Sequence, residues 1–489
     1  MLFNSLKFLI FFPIVTLVYF LIPQRVKYLW LLCASYYFYM CWNPEYAILI
    51  AVSTVITWLS GIFIEKGKTP LSRKLTVAAS FTINLAILFY FKYFYFTMDN
   101  INAIRAALHL SALTPKFDVI LPVGISFYTF QALSYTVDVY RHDVEPEKNL
   151  LKYALFVSFF PQLVAGPIER SKNLLSQVNA EHHFDYNRVR SGLLVMLWGF
   201  FLKLVIADRA AIAVNTVYNN SADFTGIQLA IATIFFAVQI YCDFESYSTI
   251  AKGAARVMGF ELMDNFHQPY FSTSIAEFWR NWHISLSTWF KDYLYIPLGG
   301  NRKGNLRKYF NLMVVFLVSG LWHGASWNFV IWGAVHGVYQ VVGGVTKNFR
   351  RLVCTLLDIN CDTPQYKWFQ RLVTCTLVTF AWIFFRSADL TQSVAVIKSI
   401  FTNFAPWSLY GGGITKMGLD TANAAVLIAA AAILFCVSLA KSRGEVVRKI
   451  ENMHVFARWP IYFGLLFSVL IFGIYGPQFT AAQFIYFQF

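Results

Sequence analysis

Apolar runs near or above the membrane-spanning length of about 18–20 residues recur along most of this 489-residue chain. Only 13% of residues are charged, about half the share usual in a soluble domain, while 57% are hydrophobic and 18% aromatic. The chain therefore reads as an all-α polytopic membrane protein. A single membrane domain over 1–489 is expected, with no separate soluble domain.

The net charge of +15 does not imply nucleic acid, because Lys and Arg cluster in short loops between apolar runs, where they fix orientation. The loop EKGKTPLSRK (65–74) is basic and the linker NPE (43–45) is not. With Arg25 and Lys27 also inside, the N-terminus is expected on the extracytoplasmic side of the cell membrane. The apolar start led by Lys7 runs to Ile22 without a small-residue cleavage site, which predicts a retained first helix. Seven cysteines, mostly in or beside apolar runs, suggest neither a disulfide framework nor a metal pair.

Spans are expected near 8–22, 28–43, 46–64, 76–97, 119–139, 151–166, 191–207, 226–245, 309–325, 326–345, 370–386, 422–441 and 459–476, with 98–118 as an outer loop that carries a short helix. LPVGISFYTF (121–130) and FFPQLVAGPIER (159–170) are interrupted by Gly and Pro. Such backbone is tolerated at membrane depth only where it is buried in protein or lines a cavity, so about 11–13 spanning or re-entrant segments around a central cavity are predicted. Two loops are strongly basic. KDYLYIPLGGNRKGNLRK (291–308) carries Arg302 and Lys303; KSRGEVVRKIENMHVFAR (441–458) reads as an amphipathic helix. One reading of either loop is topology and anionic membrane lipid; the alternative, for the first, is a cytoplasmic mouth that holds a phosphate-bearing donor.

GLWHGASWNFVIWGAVHG (320–337) sets His323 and His336 in the same frame, Gly-x-x-His-Gly. Glycines four apart flatten a helix face and admit a close neighbour, so helix packing around a hydrogen-bonded histidine is one reading. The other is catalytic: ionisable residues at membrane depth are costly, and imidazole exchanges protons near neutral pH. In one unbroken helix, 13 residues rise about 20 Å, which would keep the two apart; a break at GASWN (324–328) would change that.

In AEFWRNWHISLSTWFKDYLYIPLGG (276–300), helical spacing lines up Phe278, Trp282, Ser285 and Trp289 on one stripe and Trp279, His283, Leu286 and Phe290 on another. This is either an interfacial Trp belt or a cavity-lining helix on which His283 and Arg280 meet a substrate. In QIYCDFESYSTIAKG (239–253), Asp243 and Glu245 interrupt an apolar run, either as snorkelling carboxylates at a helix end or as an acidic pair on a cavity wall. His182 and His183 lie in a polar loop and suggest no metal site.

A phosphate loop, a GxSxG elbow and an HExxH zinc helix are all missing. Histidine-centred proton chemistry without a serine or cysteine nucleophile is what remains, and it suits transfer of an activated acyl group to a hydroxyl.

Taken together, PVGISFYTFQALSYTVDVYR (122–141), FFPQLVAGPIER, the 239–253 stretch, FWRNWHISLSTWFKDYLYIPLGGNRKG (278–304) and SGLWHGASWNFVIWGAVHG (319–337) resemble the membrane-bound O-acyltransferase family. The nearest branch is the bacterial one typified by the membrane subunit of alginate O-acetylation, which the closing FIYFQF (484–489) also resembles. The resemblance implies a catalytic core over about 119–345, with funnels from both faces. It puts the family's catalytic histidine on His323 and further motif histidines on His283 and His336. Trp279, Arg280, Asn281, Trp322, Asp243, Arg302 and Lys303 stand beside them as substrate-binding candidates. The reaction it implies moves acetyl from a cytoplasmic thioester such as acetyl-CoA, with no tightly bound cofactor or metal, toward an extracytoplasmic polysaccharide. An SGNH-type acetyltransferase would be the relay partner, and the glycines would let acyl chain and acceptor pass close to the imidazole. The alternatives are D-alanyl transfer to teichoic acid and a histidine-dependent transporter, though no internal symmetry of the transporter kind is present.

Overall fold

The structure, a computed structural model, describes residues 1–115, 119–442, 444–476 and 484–485, which form two compact units. All secondary structure among the described residues is helical. Each of the apolar segments expected from the sequence meets a helix. Among the described residues, seven helical runs are long and apolar enough to cross a membrane, or eight if Trp327–Val345 and Lys347–Leu356, bent by 50°, make one broken span. The protein is thus a multi-pass membrane protein.

The first unit holds residues 1–193 and 250–263. Its helices are tied by polar side chains, because water is not there to compete for them in a bilayer. Ser53 Oγ donates to Asn84 Oδ1 at 2.6 Å, and Tyr153 OH donates to Thr57 Oγ1 at 2.8 Å. Gly124, with φ of 77°, starts the helix Ile125–Tyr140 in the left-handed region, and a Cβ there would sit 3.0 Å from the Leu163 carbonyl oxygen. The segment 98–118 carries helix, as expected, but as the end of a longer helical run. The fourth helical run, Pro70–Leu88, continues through a π-helical turn, Phe89–Tyr93, into Phe94–Ala107, while 116–118 lie outside the described residues.

The second unit holds residues 194–249 and 264–489. Its core is a stack of indoles. Trp382, 1% exposed, lies 5.2 Å from Trp282 and 5.8 Å from Trp332 between ring centroids. Large aromatic rings dominate such a core because each buries much area with few rotamers to lose. The basic stretch 441–458 is not one amphipathic helix. Only Val446–Glu451 is helical between Thr421–Lys441 and Val455–Phe472, and position 443 lies outside the described residues. Of the closing FIYFQF, only Phe484 and Ile485 are described.

Candidate active site

His323 ends the helix Gly304–His323, and Ser326 begins the next, Trp327–Val345, by accepting a hydrogen bond from the Asn328 backbone N–H. The break at GASWN is therefore real, and it folds the two Gly-x-x-His-Gly frames into a helical hairpin. A Cβ on Gly320 would run into the carbonyl oxygen of Phe329, and one on Gly333 into that of Phe316. Met313 Sδ stands 2.7 Å from where a Cβ of Gly337 would be, and the Phe329 ring fills the space beside Gly324. The space that these four glycines open is thus filled by the opposite arm of the hairpin and not by a substrate, which corrects the passage expected of them.

We expect Gly333→Ala to force the two backbones apart at a cost of about 1–3 kcal/mol or more. Gly343→Ala, with nothing within 4 Å of its new methyl, should be harmless. The fraction of each protein that stays monodisperse in detergent after a heat step checks this; equal survival would refute the packing account.

The hairpin brings the histidines into one aromatic cluster. His323 and His336 each lie 5.0 Å from the ring of Trp332. Trp322 is 5.0 Å from His323 and 6.1 Å from His283. Phe385 closes on His323 at 5.5 Å, and Phe244 on His283 at 4.6 Å. All three imidazoles are buried: His323 is 5% exposed, His283 and His336 0%.

His336 is further fixed by Trp279, whose indole Nε1–H donates to His336 Nδ1 at 3.2 Å. That bond makes Nδ1 the acceptor and leaves the proton of the neutral ring on Nε2.

His283 owes its place to a break that the stripe pattern does not reveal. The expected continuous helix over 276–300 ends at Asn281; His283 takes φ 44°, ψ 55°, and a new helix, Ile284–Phe290, follows. Asn265 holds this turn. Its backbone carbonyl accepts from Ile284 N at 2.9 Å, its Oδ1 accepts from Ser285 Oγ at 2.6 Å, and its Nδ2 donates to Ser248 Oγ at 2.9 Å. Both stripes are buried, with Phe278 at 0%, Trp282 at 1% and Trp289 at 6% exposure, so this is no interfacial Trp belt.

The remaining candidates divide. Trp279 and Trp322 belong to the cluster. Asn281 props the chain before the break, accepting from His267 N at 3.0 Å and donating from Nδ2 to Ser272 Oγ at 3.1 Å. Arg280, Arg302 and Lys303 are exposed, and the pairing of Arg280 with buried His283 on one helix face is not formed. Asp243 is neither a helix end nor an open cavity wall. It lies within Gly226–Met258, receives Lys203 Nζ at 2.5 Å and accepts from the Ile485 backbone N–H at 2.7 Å. Glu245 is 3.7 Å from Lys441 Nζ. Lys203, Asn265, Trp332 and Phe385 escaped the sequence reading; a lone lysine inside FFLKLV is the one signal that could have found any of them, since a cation in such a run needs a partner.

This arrangement can hold a proton acceptor in a dry, aromatic surrounding at a helix end. The sequence profile of the membrane-bound O-acyltransferase family matches residues 71–385. The chain is similar to a protein of Pseudomonas putida named probable alginate O-acetylase, with 38% identity over 84% of this chain and 82% of that one. It is 33% identical to a peptidoglycan O-acetyltransferase of Helicobacter pylori, over 82% of this chain and 80% of that one. Similarity to a teichoic acid D-alanyltransferase of Streptococcus thermophilus is lower, 26% over 54% and 68%.

Proposed function

The chain belongs to the membrane-bound O-acyltransferase family, and from that premise we propose that it moves acetyl from a cytoplasmic thioester, acetyl-CoA or a similar donor, toward hydroxyls of an extracytoplasmic polysaccharide. That it is an O-acyltransferase follows from the family and from relatives that are O-acetyltransferases. The observation carrying the finer reading is the hairpin that gathers His323, His336 and, through Trp322, His283 into one buried cluster inside the matched region.

In this reading His323 is the general base. It takes the proton of the attacking hydroxyl as the oxygen bonds to the thioester carbonyl carbon; the C–S bond breaks and the proton passes to the leaving thiolate. A thioester is reactive, so exclusion of water by the aromatic walls also protects the donor from hydrolysis. His283 lies across Trp322 from the base and would orient the acceptor or the departing group. Exposed Arg302 and Lys303 would meet donor phosphates, and an SGNH-type enzyme outside would receive the acyl group. The N-terminus would lie outside, a reading that the basic loops support.

Ester-linked acetate and D-alanine released by mild base from the cell-surface polymer test this. Cells lacking the protein should lose the acetate and keep the alanine. Loss of alanine with acetate intact would favour D-alanyl transfer, the activity named for the more distant relatives.

A further inference from the structure

The first unit contains a second polar feature that the reaction does not use: a cavity of about 430 Å³ where the helix Leu6–Leu21 ends and Gln24–Met40 begins. Three cations line it, Arg25, Lys27 and Lys152, against one carboxylate, Glu181, whose side chain is 75% exposed and therefore screened by water. Lys27 is only 8% exposed. Its ammonium donates to the His182 carbonyl oxygen at 2.6 Å and lies 4.9 Å from the Tyr19 ring, but no carboxylate among the described residues comes within ion-pair distance. Lysines are almost never buried unless paired, so a lysine in this state asks for an anion. Lys152 bonds only the neutral Asn179 Oδ1, at 2.6 Å, and Arg25 has neither hydrogen bond nor ion pair among the described residues.

The floor is apolar, with Leu31 and Leu155 each 1% and Phe260 2% exposed. A cationic recess over an apolar floor, set where the first two helices meet, matches a molecule that carries negative charge at one end and acyl chains at the other. We propose that this cavity holds the phosphate headgroup of an anionic membrane lipid, on the basic and so cytoplasmic side of the bilayer. The site lies in the other compact unit from the histidine cluster and does not depend on the acetyl reading.

The full-length protein, purified in detergent, would be titrated with dihexanoyl phosphatidylglycerol and followed by thermal shift, with dihexanoyl phosphatidylcholine and inorganic phosphate as parallel probes. Phosphatidylglycerol should stabilise the wild type, and the double variant Arg25→Gln/Lys152→Gln should bind it roughly 25-fold more weakly, since each basic residue near a lipid surface is worth about fivefold. Arg351→Gln, a basic residue of the other unit, should bind as the wild type does. Equal weakening by Arg351→Gln would mean diffuse surface attraction and overturn the site. So would equal binding of phosphatidylcholine. Inorganic phosphate binding as tightly as the lipid would reassign the cavity to a soluble phosphate compound. Should the double variant not fold, salt decides: wild-type binding that is unchanged between low and high ionic strength would rule out a phosphate held by these cations.

Discussion

Replacing His323 with glutamine is expected to lower the rate of acyl transfer by about 10²- to 10⁴-fold while leaving the protein folded. Glutamine nearly matches the imidazole in volume and keeps a donor and an acceptor, so the packing against Trp332 and Phe385, at 5.0 and 5.5 Å, can persist. It cannot take a proton. Replacement of His336 should behave differently. That ring is 0% exposed, bonded to Trp279 and packed against Trp332 and, at 5.8 Å, Tyr339, so His336→Gln acts first on the fold of the hairpin. Activity and thermal stability should fall together there, whereas His323→Gln should separate them. Initial rates and melting curves on the same purified preparations make the comparison. A His323→Gln enzyme keeping more than about a tenth of wild-type turnover would exclude His323 as the base, given the usual worth of such a group.

Much of the helical order could be read from the chain because membrane helices are written in it as long apolar runs, and hydrocarbon leaves few other ways to satisfy a backbone. The site was legible in its parts but not in its assembly. Glycine spacing correctly signalled a close approach, yet only the hairpin shows that what approaches Gly320 is the backbone near Phe329. The stripes over 276–300 failed for a different reason. Periodicity reports local preference, and the chain at His283 is turned by hydrogen bonds to Asn265, on a separate segment before the helix. No pattern within 276–300 could show that. The setting of Asp243 was not legible because its partner lies forty residues away, in an apolar run whose one lysine the sequence pattern does not single out as that partner.

Lys203 carries the second large effect. It sits 1% exposed in a π-helical turn, Phe201–Ala207, with its ammonium 2.5 Å from Asp243 and 2.9 Å from Asp208. Both carboxylates are buried as well, at 3% and 8% exposure. Lys203→Met keeps the length of the side chain and removes the charge, leaving two buried carboxylates facing each other. Breaking a buried pair from one side costs about 3–5 kcal/mol, since the abandoned charge keeps its desolvation penalty and loses its counterpart. The variant should therefore melt well below the wild type. Adding Asp208→Leu should restore part of the stability at neutral pH, and that non-additivity separates a broken charge network from lost packing. Asp243 is left in place because it also accepts the Ile485 N–H, so its removal would unfasten a second contact. A Lys203→Met protein that melts with the wild type would show that the triad contributes no stability, and a single variant with no recovery in the double would assign the loss to packing around the π-helical turn.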